Sequence, residues 1–367
     1  MLRVLHVMGC SDAGGISSVV LNYYRFLDRS RIHFDIALTV PTAGQNAHAL
    51  EKLGAKIYFI PLKSQDMEGY RRELTRLLVE GHYDALHDHE DETCYVGLRL
   101  ARKLGIPCRI AHSHTTSPHE GLRGELRRLS GCLLNYPSAT HVIGCGRLAG
   151  ERVFGKFNMR RPRALVLPNA VDCRRFAFDP RIRQEVRREL GAEDHFVIGM
   201  VGRLSEEKNP GYGIRILPEI LKKIPNALLV MAGNGPEAEK LEEEVKRLHL
   251  EGSVKLLGRR SDVERLYQAF DLYLLPSFTE GFPVAAVEAL ASGLPALLSD
   301  TITKELSAFT AVTYLPLSRP EEWAQAAADW RGDENRALRQ KEVEENGLDI
   351  RKCAGILEQI YHEDTGK

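Results

Sequence analysis

The sequence predicts an α/β protein built from two doubly wound parallel-sheet domains. Short apolar, β-branched runs alternate with helix-period segments from one end to the other, the pattern of parallel strands joined by crossover helices. The series halts near Pro168-Asn169-Ala170-Val171-Asp172 and then starts again. A chain of 367 residues also exceeds the usual size of one hydrophobic core.

In the first half the expected strands lie near Val4, Phe34 to Thr39, Lys56 to Ile60, Asp84 to His87, Cys108 to His112, His141 to Gly144 and Ala164 to Leu167. After Asp172 a basic stretch with little periodicity runs to about Arg181 and marks the domain boundary. The second series comprises Phe196 to Val201, Leu228 to Ala232, Val254 to Gly258, Leu272 to Pro276, Pro295 to Ser299 and Val312 to Leu315. Ligands of open α/β sheets sit beyond the carboxyl ends of the strands, so chemistry is sought there.

Composition sets the outer limits. With 43% hydrophobic and 27% charged residues the chain reads as globular. Seven scattered Cys without a CxxC pair point to core thiols in a reducing compartment rather than a disulfide framework or zinc ribbon. The first residues lack the apolar core of a signal peptide, and no apolar run approaches the roughly 20 residues of a membrane span, so a cytoplasmic protein is expected. Net charge is zero and no nucleic-acid partner is expected, but residues 121–175 hold 11 Lys/Arg against 3 Asp/Glu. That patch reads either as a solvated helical face or as a footprint for an anionic partner such as a phospholipid surface or a lipid-linked phosphate.

Four segments carry candidate chemistry. After the first strand, Gly14 and Gly15 lead into a helix, where free amides and close backbone approach suit phosphate. Neither the GxGxxG spacing of a dinucleotide fold nor the Lys of a P-loop is present. Arg203 and Lys208, in Gly202-Arg203-Leu204-Ser205-Glu206-Glu207-Lys208-Asn209, offer a fork and a point charge to a departing diphosphate; pairing of Lys208 with Glu206 or Glu207 is the simpler alternative. In Glu280-Gly281-Phe282-Pro283, followed by Val284 to Ala291, Glu280 lies on a loop and Glu288 inside an apolar helix expected to start at Pro283 and close at Gly293. A carboxylate there is costly unless bonded, and a ribose diol supplies two donors. Finally, His87-Asp88-His89 and His112-Ser113-His114 are HxH pairs at strand ends; with no HExxH and no Cys partner, no metal is expected.

The Gly-Gly turn, GRLxxEKN, Asn-Ala-Val-Asp, Gly233-Asn234-Gly235-Pro236-Glu237 and Glu-Gly-Phe-Pro with Glu288 eight positions on together resemble family 4 of the retaining glycosyltransferases. Ala111-His112-Ser113-His114 and Ser299-Asp300-Thr301 resemble in particular the exopolysaccharide and capsular enzymes of Gram-positive bacteria. The resemblance implies the GT-B arrangement: two Rossmann-like domains facing across a cleft, an acceptor domain over 1–170 completed by a last helix at about 349–367, and a nucleotide-sugar donor domain over 171–348. It implies metal-independent, retaining transfer without a cofactor, from a nucleotide sugar, UDP by default, to a saccharide or polyprenyl-diphosphate-linked acceptor, at the inner membrane face if the basic region touches lipid. It places Glu280 at the transferred sugar with Gly281, Phe282 and Pro283 beside it, Glu288 on the ribose, Arg203 and Lys208 on the diphosphate with Gly14 and Gly15 nearby, and His112 as the active-site histidine. Ala170 departs from the Gly usual in that linker. A sugar-nucleotide 2-epimerase and a non-catalytic sugar-nucleotide-binding subunit are the competing readings.

Overall fold

The computed structural model describes residues 1–9, 15–115, 121–331 and 335–367. The chain forms two compact units, Met1–Ala170 with Ile350–Lys367, and Val171–Asp349.

The first unit holds a seven-stranded parallel sheet of β1 (Leu2–Met8), β2 (Ile32–Leu38), β3 (Ile57–Phe59), β4 (Ala85–Asp88), β5 (Cys108–Ser113), β6 (His141–Gly144) and β7 (Ala164–Val166), in the order β3-β2-β1-β4-β5-β6-β7. The order reverses between β1 and β4, which pair in parallel with His6 opposite His87. The helix Ile350–Thr365 supplies Ile350, Leu357, Ile360 and Tyr361 to the same core cluster as Val4, Phe34 and Ile110.

The second unit holds β8 (Phe196–Val201), β9 (Ala227–Ala232), β10 (Val254–Leu256), β11 (Leu272–Leu275), β12 (Ala296–Ser299) and β13 (Val312–Leu315). Their order is β10-β9-β8-β11-β12-β13, all parallel, with the reversal between β8 and β11. β9 is buried at every residue, Ala-Leu-Leu-Val-Met-Ala, because helices cover both faces of such a sheet and leave no polar side to alternate with.

The expected strands are present, with ends shifted by one or a few residues. The basic stretch after Asp172 is not irregular as its sequence suggested. Asp172 caps the helix Cys173–Phe176 through the Arg174 and Arg175 amides, and Asp179 caps Pro180–Glu189, where Pro180 stands in the first turn. Local caps outweigh weak periodicity there. Five of the described cysteines are buried thiols, while Cys132 is half-buried. No helix among the described residues is long and apolar enough to cross a membrane.

Candidate functional site: a cation–carboxylate pair and a histidine array

In the second unit, the loops after β8 and β11 meet at the point where strand order reverses. Asn209, at φ 49°, ends a single 3-10 turn (Glu206–Lys208) and starts the helix Pro210–Lys223. Its side-chain amide donates to the Pro276 carbonyl at 3.1 Å, and the Phe278 amide donates to the Glu207 carbonyl at 2.8 Å. These ties bring Lys208 to Glu280: Lys208 Nζ donates to both carboxylate oxygens at 2.7 and 2.6 Å, and Ser277 Oγ adds a bond at 2.8 Å. Lys208 is thus paired with the other candidate carboxylate, across the sheet, rather than with Glu206 or Glu207. Arg203 is exposed, and its guanidinium has no hydrogen-bond or ion-pair partner among the described residues.

Glycine at 233 is a steric requirement: a Cβ there would stand 1.7 Å from the Gly202 carbonyl oxygen. That contact lets the ends of β8 and β9 close together, with Leu204 N bonded to the Asn234 carbonyl at 3.0 Å. On the other side of the loop, Thr301 Oγ1 reaches the Ser277 carbonyl at 3.1 Å and Ser299 Oγ at 2.7 Å, so the segment after β12 braces the loop that carries Glu280.

Glu288 belongs to the helix Val284–Ala291, which starts one residue later than expected because Pro283 is its cap. Phe282 and Pro283 are buried and Gly281 is half-buried. Tyr267 Oη donates to Glu288 Oε2 and to the Ala285 carbonyl, each at 3.0 Å. Burial outweighs that bond and lifts the carboxyl to about 7. A group held this near neutrality, with one oxygen bonded and the other without a partner among the described residues, suits a ligand that donates hydroxyl protons.

In the first unit, five imidazoles collect where β1, β4 and β5 end. His87 Nδ1 bonds Tyr361 Oη at 2.7 Å, and His87 Nε2 bonds His112 Nδ1 at 3.1 Å. His89 links His6 at 2.9 Å and His114 at 2.9 Å. Desolvation pushes all five below the ordinary imidazole range, His6 and His114 to about 3, so the array is neutral. His112 lies deep inside it, and its Nε2 and that of His6 are buried without a partner. Nitrogens of His6, His87 and His89, and of His89, His112 and His114, lie within 4.8 Å of one another, as do ligand atoms of Cys173, Glu344 and Asp349 in the second unit. The imidazoles could therefore hold a transition metal, although their mutual hydrogen bonds satisfy most ring nitrogens without one. Beside the array, Lys63 is enclosed against Glu90 at 2.6 Å. Desolvation raises Asp88 to about 7.

Gly15 opens the helix Gly15–Phe26 at φ 55°, whereas Gly14 lies outside the described residues. Sequence reasoning passed over His6, Lys63, Ser277, Tyr267 and Tyr361, whose roles arise from strand register and helix packing.

Two family models cover most of the chain: Glycosyltransferase Family 4 over residues 13–175 and Glycosyl transferases group 1 over residues 182–341. The chain belongs to glycosyltransferase family 4. EpsF of Bacillus subtilis, itself assigned as a glycosyltransferase, is 33% identical over 375 residues, covering 100% of this chain and 97% of that one. The UDP-Gal:α-D-GlcNAc-diphosphoundecaprenol α-1,3-galactosyltransferase of Escherichia coli is 27% identical, covering 82% of this chain and 79% of that one. Among solved structures, HepE of Anabaena in complex with UDP aligns with a TM-score of 0.82 at 18% identity, covering 99% of this chain and all of that one. The family 4 enzyme described here accordingly has the GT-B fold, two Rossmann-like domains each with its own parallel sheet.

Proposed function

We propose that this glycosyltransferase moves a sugar from a UDP-sugar to a saccharide carried on a polyprenyl diphosphate, with retention of anomeric configuration and without a metal ion, in exopolysaccharide or capsule synthesis. The Lys208–Glu280 pair at the strand-order reversal is the observation that carries the reading. A lysine already held beside the carboxylate that meets the sugar is placed to move onto a diphosphate as its charge grows, and the unpaired Arg203 supplies a second cation. Glu288 takes the ribose hydroxyls, and the free amides where the helix Gly15–Phe26 begins suit a phosphate. His112 lies on the acceptor side, within the N-terminal unit. The UDP donor is supported by the solved HepE complex with UDP, and the lipid-linked acceptor by the name of the Escherichia coli relative.

In this reading the acceptor hydroxyl attacks from the face that the leaving diphosphate vacates. The bond from the anomeric carbon to the diphosphate oxygen breaks as the bond to the acceptor oxygen forms, and the acceptor proton passes to the departing phosphate. No carboxylate nucleophile is required. Contact of the basic residues 121–175 with the inner face of the cell membrane belongs to the same reading.

Proton NMR of the purified protein with a panel of UDP-, GDP- and ADP-sugars tests it. Slow release of sugar from one UDP donor, unaffected by EDTA, is expected, with the first-formed anomer matching the donor. Loss of turnover in EDTA, inversion of the anomer, or conversion into a second sugar nucleotide would each overturn it.

A further inference from the structure

The imidazoles of the first unit form two hydrogen-bonded rows, and one row ends on a phenol. It runs from Tyr361 Oη to His87 Nδ1 at 2.7 Å, from His87 Nε2 to His112 Nδ1 at 3.1 Å, and finishes at His112 Nε2. The other row is His6, His89 and His114. The rows pack against each other, with the rings of His87 and His89 4.3 Å apart and those of His112 and His114 4.2 Å apart, which holds the planes of His87 and His112.

A neutral imidazole carries one proton, so each ring donates from one nitrogen and accepts at the other, and a direction set at one end of a row runs to its far end. Two directions are open. If His87 donated to Tyr361, the proton of the phenol would itself lie buried without an acceptor, since His87 Nδ1 is the one hydrogen-bond partner of Tyr361 Oη among the described residues. The lone pair at His112 Nε2 would be a second unmatched group. If Tyr361 donates, a single group stays unmatched, the N–H at His112 Nε2. Buried polar groups without partners are costly, so the direction that leaves fewer of them wins. Burial also raises the Tyr361 phenol well above its ordinary range, and it keeps its proton.

The unmatched donor stands where a ligand would be expected. His112 is the last residue but one of β5, at the carboxyl end of the sheet and next to β4, which borders the reversal of strand order. An oxygen of a substrate completes it.

We propose that Tyr361 is a positioning residue: through His87 it fixes His112 as the Nε2–H tautomer, which donates a hydrogen bond to a phosphate or hydroxyl oxygen of the sugar nucleotide. The tautomer follows from the first unit alone, and only the identity of the ligand rests on the proposed transferase reading. A histidine that donates at Nε2 and accepts at Nδ1 has no lone pair for the proton of the acceptor hydroxyl, which agrees with passage of that proton to the departing phosphate.

Long-range nitrogen–proton correlation spectra of the full chain, with isotope-labelled histidine, test it. In the wild type His112 should show a protonated Nε2 and a bare Nδ1. Tyr361→Phe keeps the ring that packs in the core and removes the hydroxyl; the Nδ1–H form of His112 should then be populated to a tenth or more, and kcat/KM for donor hydrolysis should fall in proportion to the Nε2–H fraction that survives. His87→Leu, which cuts the row at its middle, should act in the same way. A merely structural role for Tyr361 would not tie turnover to the tautomer. A shift of the Nε2 proton on adding UDP identifies a phosphate oxygen as the partner, and a shift with a UDP-sugar alone identifies a sugar hydroxyl. A bare Nε2 on His112 in the wild type, which needs no variant to fold, would overturn the proposal, as would an unaltered tautomer in Tyr361→Phe or a metal ion bound to the row in the purified protein. A tautomer that follows Tyr361 in a protein that responds to no nucleotide sugar would instead sink the transferase reading, so the two failures stay distinguishable.

Discussion

Lys208 and Glu280 illustrate how far a local motif can be read. Both were legible as candidates from the sequence, but the partner of Lys208 was not, because Glu206 and Glu207 are its chain neighbours and Glu280 is 72 residues away. The left-handed Asn209 and its bond to Pro276 decide the pairing. If Lys208 stabilises the leaving diphosphate, Lys208→Ala should lower kcat by about 10²–10³-fold, the range for removing one preorganised donor. The double variant with Glu280→Gln should lose less than the product of the two single losses, measured by donor turnover, since the groups act as one unit. Glu288 gives a pH signature. If it binds the ribose as proposed, its carboxyl, lifted to about 7 by burial, must be ionised to accept two hydroxyls. Ligand binding favours the charged form, so affinity for UDP-glucose should rise as pH increases through 7, by roughly tenfold between pH 6 and pH 8, and then level off. Calorimetric titration checks this, and Glu288→Gln should give a flat profile.

At the scale of elements, strands were read more surely than helix orientation. Parallel strands buried on both faces announce themselves as continuous apolar runs, and the fold class followed from their alternation with helices. The helix Gly121–Ser138 shows the limit, because its leucine spacing fits a core-facing stripe and only the glycine contacts of the folded unit turn it over. Replacing an interior helical glycine by alanine ordinarily stabilises by about 1 kcal/mol. At Gly131 the new methyl would press on the backbone of Glu92 and Val153, and overpacking costs about 1–3 kcal/mol. The second effect is the larger, so Gly131→Ala should lower the melting temperature, whereas Gly355→Ala, where a Cβ meets nothing within 4 Å, should not. The histidine array was half legible: two HxH pairs stood out, but their meeting with His6 needs the β1–β4 register, and the link to Tyr361 needs the last helix.

For the whole molecule, the two units differ in continuity. Val171–Asp349 is a single stretch, while the first unit needs Ile350–Lys367 to complete its core. A fragment of residues 171–349 should therefore unfold cooperatively on its own, and residues 1–349 should lose the transition of the first unit. Calorimetry of both fragments against the full chain measures this. Removing Leu357, Ile360 and Tyr361 alone forfeits about 1.5–3 kcal/mol of burial each, comparable in sum with the whole stability of many domains.

That same returning helix imposes an order on biosynthesis. The residues that close the first sheet's core are translated only after the entire second unit has been made. At about 5–20 residues per second, the N-terminal unit must wait on the order of ten seconds or more with its docking groove for Tyr361 uncovered. The C-terminal unit, continuous in the chain, can fold during that interval. The enzyme is thus assembled from its second half backwards, and a message truncated before the codon for Ile350 leaves a folded C-terminal unit joined to an N-terminal one that never matures.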